Sequence, residues 1–159
     1  AKELGISVNA KFDYAEGISG HLKKLPDGKY EIGYNGKEAV ERQRFTIAHE
    51  LGHYVLHRHI VGDGVDDDIK YRSTKVGEIY NTRIKEVHER QANSFAATIL
   101  IPTNLVREYL EDPIADRTVS GMAREFEVSP SSMRWRLHNM CLLGPGLVVD
   151  DYTKAPANV

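Results

Sequence analysis

Two histidines four residues apart flank a glutamate in the string His49-Glu50-Leu51-Gly52-His53. Residues i and i+4 of a helix are neighbours on one face. Two imidazoles placed in this way can reach one zinc ion at about 2.0–2.1 Å. Glu50 can point near the metal without binding it and take a proton from the metal-bound water. The same five residues would also arise on a helix that simply carries two surface histidines, so the motif needs an amphipathic helix beneath it and a third ligand elsewhere.

A catalytic zinc usually has three protein ligands and a water. His57 is four residues past His53, but it lies eight residues from His49, about 12 Å along a helix axis. One ion cannot easily hold all three, so His57 and His59 are expected to face solvent or to cap the helix end, where the dipole favours a cation. Glu89 is the better third ligand. It opens the string "ERQANSFAATILIP", Asn93 follows one turn later on the same side, and the small residues Ala92, Ala96 and Ala97 would let this helix approach a neighbour closely. Taken alone, Glu89 also reads as an exposed helix glutamate.

These groups need elements to position them. Residues 38–59 read as a long helix, with Phe45, Ala48, Gly52, Val55 and Leu56 on one side at helical spacing and the two histidines beside that stripe. Ahead of it, "ISGHLKKL" and "KYEIGYN" flank Pro26-Asp27-Gly28, a turn in which proline presets φ and glycine accepts positive φ, so residues 18–35 are expected to be strands. Ala1 to Leu4 followed by Gly5 reads as the last turn of a helix with a glycine stop, which implies a helix upstream. Residues 62–78, with the acidic run Asp66-Asp67-Asp68, read as a solvated loop.

A second helix is expected over 79–101, with Ala92, Phe95, Ala96, Ile99 and Leu100 as its apolar face and Pro102 as its stop. A short helix over 103–111 would be capped by Thr103. Two more follow, 117–126 and 130–139, and Ser129-Pro130 supplies a cap and a first-turn proline for the second. Their spacing resembles a helix-turn-helix. Trp135, Met133, Leu137 and Met140 read as core, and Cys141 as a small buried hydrophobe rather than a thiolate blocking the metal. Residues 144–159 read as an irregular end.

Bulk properties narrow the function classes. The chain has 159 residues, 41% hydrophobic and 28% charged, which is ordinary for a globular protein with a real core. A formal net charge of −2 gives no overall attraction to nucleic acid or anionic membrane. A single cysteine forbids an intrachain disulfide and suits a reducing, cytoplasmic setting. No apolar run is long enough to span a bilayer, and the first residues do not form a secretory signal.

Two strings carry a family resemblance. "RQRFTIAHELGHYVLH", residues 42–57, resembles the metallopeptidase core of the ImmA/IrrE family, and "ERQANSFAATILIP", residues 89–102, is similar to that family's second motif. The order of elements is similar too, and the likeness covers roughly residues 1–143, with 60–80 the least clear stretch. The resemblance implies one zinc per chain held by His49, His53 and Glu89, with Glu50 as general base and Asn93 in a supporting position. It also implies a regulatory protease acting on helix-turn-helix transcriptional repressors. In such chemistry zinc lowers the pKa of its water to about 7 and polarises the scissile carbonyl, Glu50 takes the proton, and a further donor stabilises the oxyanion. Tyr71, Arg72, Tyr80 and His88 are candidates for that donor or for substrate contacts, and the choice among them stays open.

The expected fold is α+β: zincin-like helices with a small twisted sheet, then a short helical region resembling a helix-turn-helix. The division is 1–102 for the metallopeptidase domain, 103–143 for a helical region packed on it and 144–159 for the tail. Two other functions compete with the specific endopeptidase. One is a zinc-containing binding module, such as half of a toxin–antitoxin pair; an intact Glu50 argues against it. The other is DNA binding through the last helices. There Arg117, Arg124, Arg134 and Arg136 stand against Glu125 and Glu127, four minus two, a weak local +2 that helix packing explains equally well.

Overall fold

The hairpin predicted around Pro26-Asp27-Gly28 is formed by β2 (Ile18–Lys24) and β3 (Tyr30–Asn35), antiparallel in the register Gly20↔Tyr34 to Lys24↔Tyr30. Gly28 takes φ +81°, and Asp27 Oδ1 accepts a hydrogen bond from the Lys29 N–H at 3.0 Å, so both turn residues act as their chemistry predicts. A computed structural model describes the backbone of residues 1–61, 71–74 and 84–152, and the side chains of these except 2, 61 and 71–74.

Two further strands complete a sheet of order β1-β3-β2-β4. β1 (Ile6–Lys11) runs parallel to β3 along one edge. Its polar, largely exposed outer residues hide it from a pattern search, since Ile6 is its one fully buried side chain. β4 (Tyr71–Thr74) pairs antiparallel with β2 along the other edge, His21 opposite Arg72 and Leu22 opposite Tyr71. This corrects the loop expected over 62–78, the rest of which, with Asp66–Asp68, lies outside the described residues. The 3-10 turn Lys2–Leu4 ends at Gly5 with φ +70°, the glycine stop that the sequence predicts.

The chain divides into two compact units, Ala1–Ala96 and Ala97–Val159. In the first, α1 (Val40–Val61) lays Ile47, Leu51 and Tyr54 against the cluster of Ile6, Leu22, Ile32 and Ile84. Spacing of i, i+4, i+7 makes this its sheet-facing stripe. The stripe expected from the sequence is therefore displaced, and Val55 and Leu56 are exposed. α2 (Glu86–Leu100) starts later than the predicted 79, for Ile84 and Lys85 are not helical.

The second unit contains α3 (Thr103–Glu111), α4 (Val119–Glu125) and α5 (Pro130–Asn139) around Val106, Met122, Met133 and Leu137. Ser129 caps α5 by accepting from the Ser132 N–H, with Pro130 in its first turn, as predicted. Pro102, not Thr103, is the N-cap of α3, and the Thr103 hydroxyl instead accepts from Arg136 at 3.0 Å. Trp135 is 37% exposed, and Cys141 is exposed with φ 56°; both depart from the core roles expected of them. Cys141 sits in the left-handed position just past the α5 C-cap, where the chain leaves the helix, and its side chain is exposed.

Of the irregular end, residues 144–152 are described and are anchored: Val148 is fully buried, and Val149 bridges Thr118. All four arginines of the local basic count are engaged within this unit. Arg117 donates to the Leu110 carbonyl, Arg124 pairs with Asp116, Arg134 with Asp150, and Arg136 donates to the Ile101 carbonyl.

Candidate metal centre

The motif helix buries polar residues at helical period. Thr46, Glu50, His53 and His57 stand at i, i+4, i+7 and i+11, all buried, and His49 lies beside them at 4% exposure. Such a stripe forms only where neighbouring backbones come close, and two glycines allow this. A Cβ at Gly20 of β2 would fall 2.3 Å from the Thr46 methyl carbon, so α1 can rest on the sheet only because that atom is missing. A Cβ at Gly52 would lie 3.2 Å from Ala92 Cα and 3.1 Å from the Phe95 ring. The small residues expected to admit a close helix do so: Ala92 and Ala96 are fully buried, and α2 passes near enough to bring Glu89 under the two histidines.

There the three expected ligands converge. His49 Nε2 and His53 Nε2 are 3.0 Å apart, His49 Nε2 is 3.2 Å from Glu89 Oε2, and His53 Nε2 is 3.3 Å from Glu89 Oε1. Ligand bonds of about 2.0–2.1 Å in a tetrahedron imply donor separations of roughly 3.3–3.4 Å, close to the observed spacing. Hydrogen-bond roles strengthen the fit. Asn93 Oδ1 can only accept, so His49 Nδ1 at 2.9 Å carries the proton and His49 Nε2 is left with a lone pair. Two imidazole nitrogens and a carboxylate thus face one point, an arrangement that a cation stabilises and that three acceptors alone do not. Among the described residues, His49, His53 and Glu89 form the one group of this kind.

Electrostatics sort the carboxyl groups. Burial, and then the negative charge of Glu89, push the Glu50 carboxyl well above its ordinary value. Neither of its oxygens has a hydrogen-bond partner among the described residues. Burial alone would also raise Glu89, but hydrogen bonds and charge from His49 and His53 outweigh it and hold Glu89 far below the ordinary range. Burial lowers His53 and His57, which favours the neutral form of both rings. The site therefore holds one carboxylate committed to ionisation and another that is costly to ionise.

The remaining expectations fall out differently. Asn93 lies with its Oδ1 2.9 Å from His49 Nδ1. His88 accepts from the Lys85 N–H at 3.1 Å, and its ring lies 4.9 Å from that of His57. Tyr71 and Arg72 belong to the edge strand β4 by their backbone, and Tyr80 lies outside the described residues. His57 corrects the sequence reading: it is 3% exposed, with Nδ1 3.2 Å from His53 Nδ1 and Nε2 2.9 Å from Gln91 Oε1. It stands outside the group formed by His49, His53 and Glu89, and its distance from His49 along the helix did not place it in solvent. Gln91 was missed: two residues past Glu89 it faces another side of α2, so no helical spacing linked it to the site.

Comparison with known proteins agrees with this construction. The profile of the IrrE N-terminal-like domain matches residues 1–138. The radiation response metalloprotease IrrE of Deinococcus radiodurans is 37% identical over 128 residues, 73% of this chain and 36% of that protein. Its namesake in Deinococcus deserti is 34% identical over 118 residues, 70% of this chain and 38% of that protein. The chain thus spans little more than a third of these relatives. A Mycobacterium tuberculosis transcriptional regulator shares the fold, with a TM-score of 0.58 at 20% identity over 93% of this chain and 40% of that one. With two His-bearing turns, a glutamate from the next helix and a profile match over most of its length, this chain belongs to the ImmA/IrrE family.

Proposed function

We propose that the chain is a zinc-dependent endopeptidase domain that cleaves one regulatory protein, a helix-turn-helix transcriptional repressor, in the cytoplasm. The observation that carries the reading is the juxtaposition of the His49, His53 and Glu89 donor atoms with the buried carboxyl of Glu50, which has no hydrogen-bond partner among the described residues. Two imidazoles and one carboxylate are a donor set suited to catalytic zinc. The name metalloprotease attached to the Deinococcus relatives supports hydrolysis of a protein substrate. The single cysteine and the absence of any described helix long and apolar enough to cross a membrane fit the proposed location.

His49, His53 and Glu89 would hold the zinc, which would supply Lewis acidity for the scissile carbonyl and a lowered pKa for water. Glu50 takes the proton of the attacking water and returns it to the leaving amine. Burial raises its proton affinity above that of an ordinary carboxylate, the direction a proton acceptor requires. Glu89 stays ionised beside the histidines, and Asn93 fixes the His49 ring. Tyr71, Arg72, Tyr80 and His88 are the proposed substrate or oxyanion contacts.

The test is incubation of the zinc-loaded protein with the repressor-like protein encoded beside it, with Glu50→Gln as control. A discrete cut by the parent and none by the variant supports the reading. An uncut repressor with biological activity retained in Glu50→Gln would favour a binding module, which needs shape and no base.

A further inference from the structure

We propose that His57 and Gln91 are positioning residues that lock the ring of His53 in its metal-binding tautomer, an inference that rests on the metal site proposed above. Gln91 Oε1 can only accept a hydrogen bond, so the proton of a neutral His57 is on Nε2, 2.9 Å away. His57 Nδ1 then has a lone pair, and it faces His53 Nδ1 at 3.2 Å. A hydrogen bond between two ring nitrogens needs one proton, so His53 carries it on Nδ1. Its Nε2 is left bare, and that atom lies 3.0 Å from His49 Nε2 and 3.3 Å from Glu89 Oε1.

The chain of bonds sets direction as well as protonation. The His57 ring is held between His53, with centroids 5.3 Å apart, and His88, at 4.9 Å. His88 is itself fixed by accepting from the Lys85 N–H. Ligating histidines commonly donate their second N–H to a carboxylate, carbonyl or water. Here a third imidazole takes that place, and an amide sets its polarity. α2 thus supplies Glu89 as a ligand and both amides, Asn93 for His49 and Gln91 through His57 for His53.

The test measures zinc affinity by competition with a chromophoric chelator, and ring tautomers by 15N NMR of the metal-free protein, in His57→Leu, His57→Gln and Gln91→Leu. His57→Leu removes the acceptor and should weaken zinc binding about 10–100-fold. It should also move His53 from the Nδ1–H form to a mixture of tautomers. His57→Gln restores an acceptor toward His53 and a donor toward Gln91, and should recover most of the affinity. Gln91→Leu frees His57 to carry its proton on Nδ1, which opposes the His53 proton and should shift both rings. Gln91 is on the exposed side of α2, so this variant decides the matter if His57→Leu does not fold.

Equal losses in the Leu and Gln variants of His57, or unchanged affinity and tautomers in folded His57→Leu, overturn the proposal. So does a parent His53 found protonated on Nε2 in the metal-free protein. A parent that binds no zinc while His53 keeps the Nδ1–H form would defeat the proposed metal site and leave the tautomer lock standing.

Discussion

Gly52 on α1 faces Ala92 on α2 so closely that a side-chain carbon at position 52 would lie 3.2 Å from Ala92 Cα. That approach brings Glu89, one turn before Asn93, to the two histidines. Gly52→Val should therefore move α2 outward and weaken zinc binding by an order of magnitude or more, while circular dichroism still shows the helices. Unchanged zinc affinity in this variant would mean that Glu89 does not depend on the close helix contact.

The ligand set predicts metal content directly. His49→Ala and His53→Ala each remove one of three protein bonds, and Glu89→Gln removes the anionic one. Each should bind well under one equivalent of zinc by elemental analysis after dialysis against a weak chelator. Full occupancy in both histidine variants would place the metal elsewhere.

Glu50→Gln should retain zinc and the fold and lose about 10²–10⁴-fold in turnover, the usual contribution of a positioned general base. The amide preserves shape and removes the basic oxygen. Cleavage of the cognate repressor at a rate near the parent's would remove Glu50 from the chemistry.

Stability of the metal-free protein should depend on pH in two opposite ways. Glu50 has a folded-state pKa raised by burial above 4.5, so its contribution is fully present below pH 4.5 and is lost as pH rises through the folded value. Glu50→Gln should then melt higher than the parent at pH 7, and the difference should shrink toward pH 4.5. His53 and His57 are shifted the other way, lowered from 6.5 by burial. Their contribution is present above pH 6.5 and is lost as pH falls through their lowered folded values. Glu89, held low, adds a loss below pH 4.5. Equal melting temperatures for parent and Glu50→Gln at pH 7 would contradict the burial cost assigned to this carboxyl.

Specificity should lie outside the metal centre. Substitutions at Tyr71 or Arg72 should impair cutting of the repressor and leave zinc binding intact. Short unstructured peptides should be poor substrates, because they lack a docking surface. Efficient, sequence-indifferent digestion of such peptides would indicate a general peptidase.

Local order was readable in the sequence wherever a rule acts within a few residues. The i, i+4 spacing of His49 and His53, the Pro26-Asp27-Gly28 turn, the Ser129 cap and the small residues after Glu89 each state their geometry in short range. The edge strands β1 and β4 did not, because their partners are distant in the chain, and β1 fully buries only Ile6. Nor did the burial of His57. A polar residue on a helix reads as outward-facing until another element covers it, and α1 is covered on two sides, by the sheet at Leu51 and by α2 at Gly52. Residue types and spacing thus determined which side chains could hold a metal. Tertiary packing decided that Glu89 reaches them, that Glu50 is buried, and that His57 and Gln91 stand behind His53. Those outcomes depend on backbone approach between segments some forty residues apart, which no local pattern encodes.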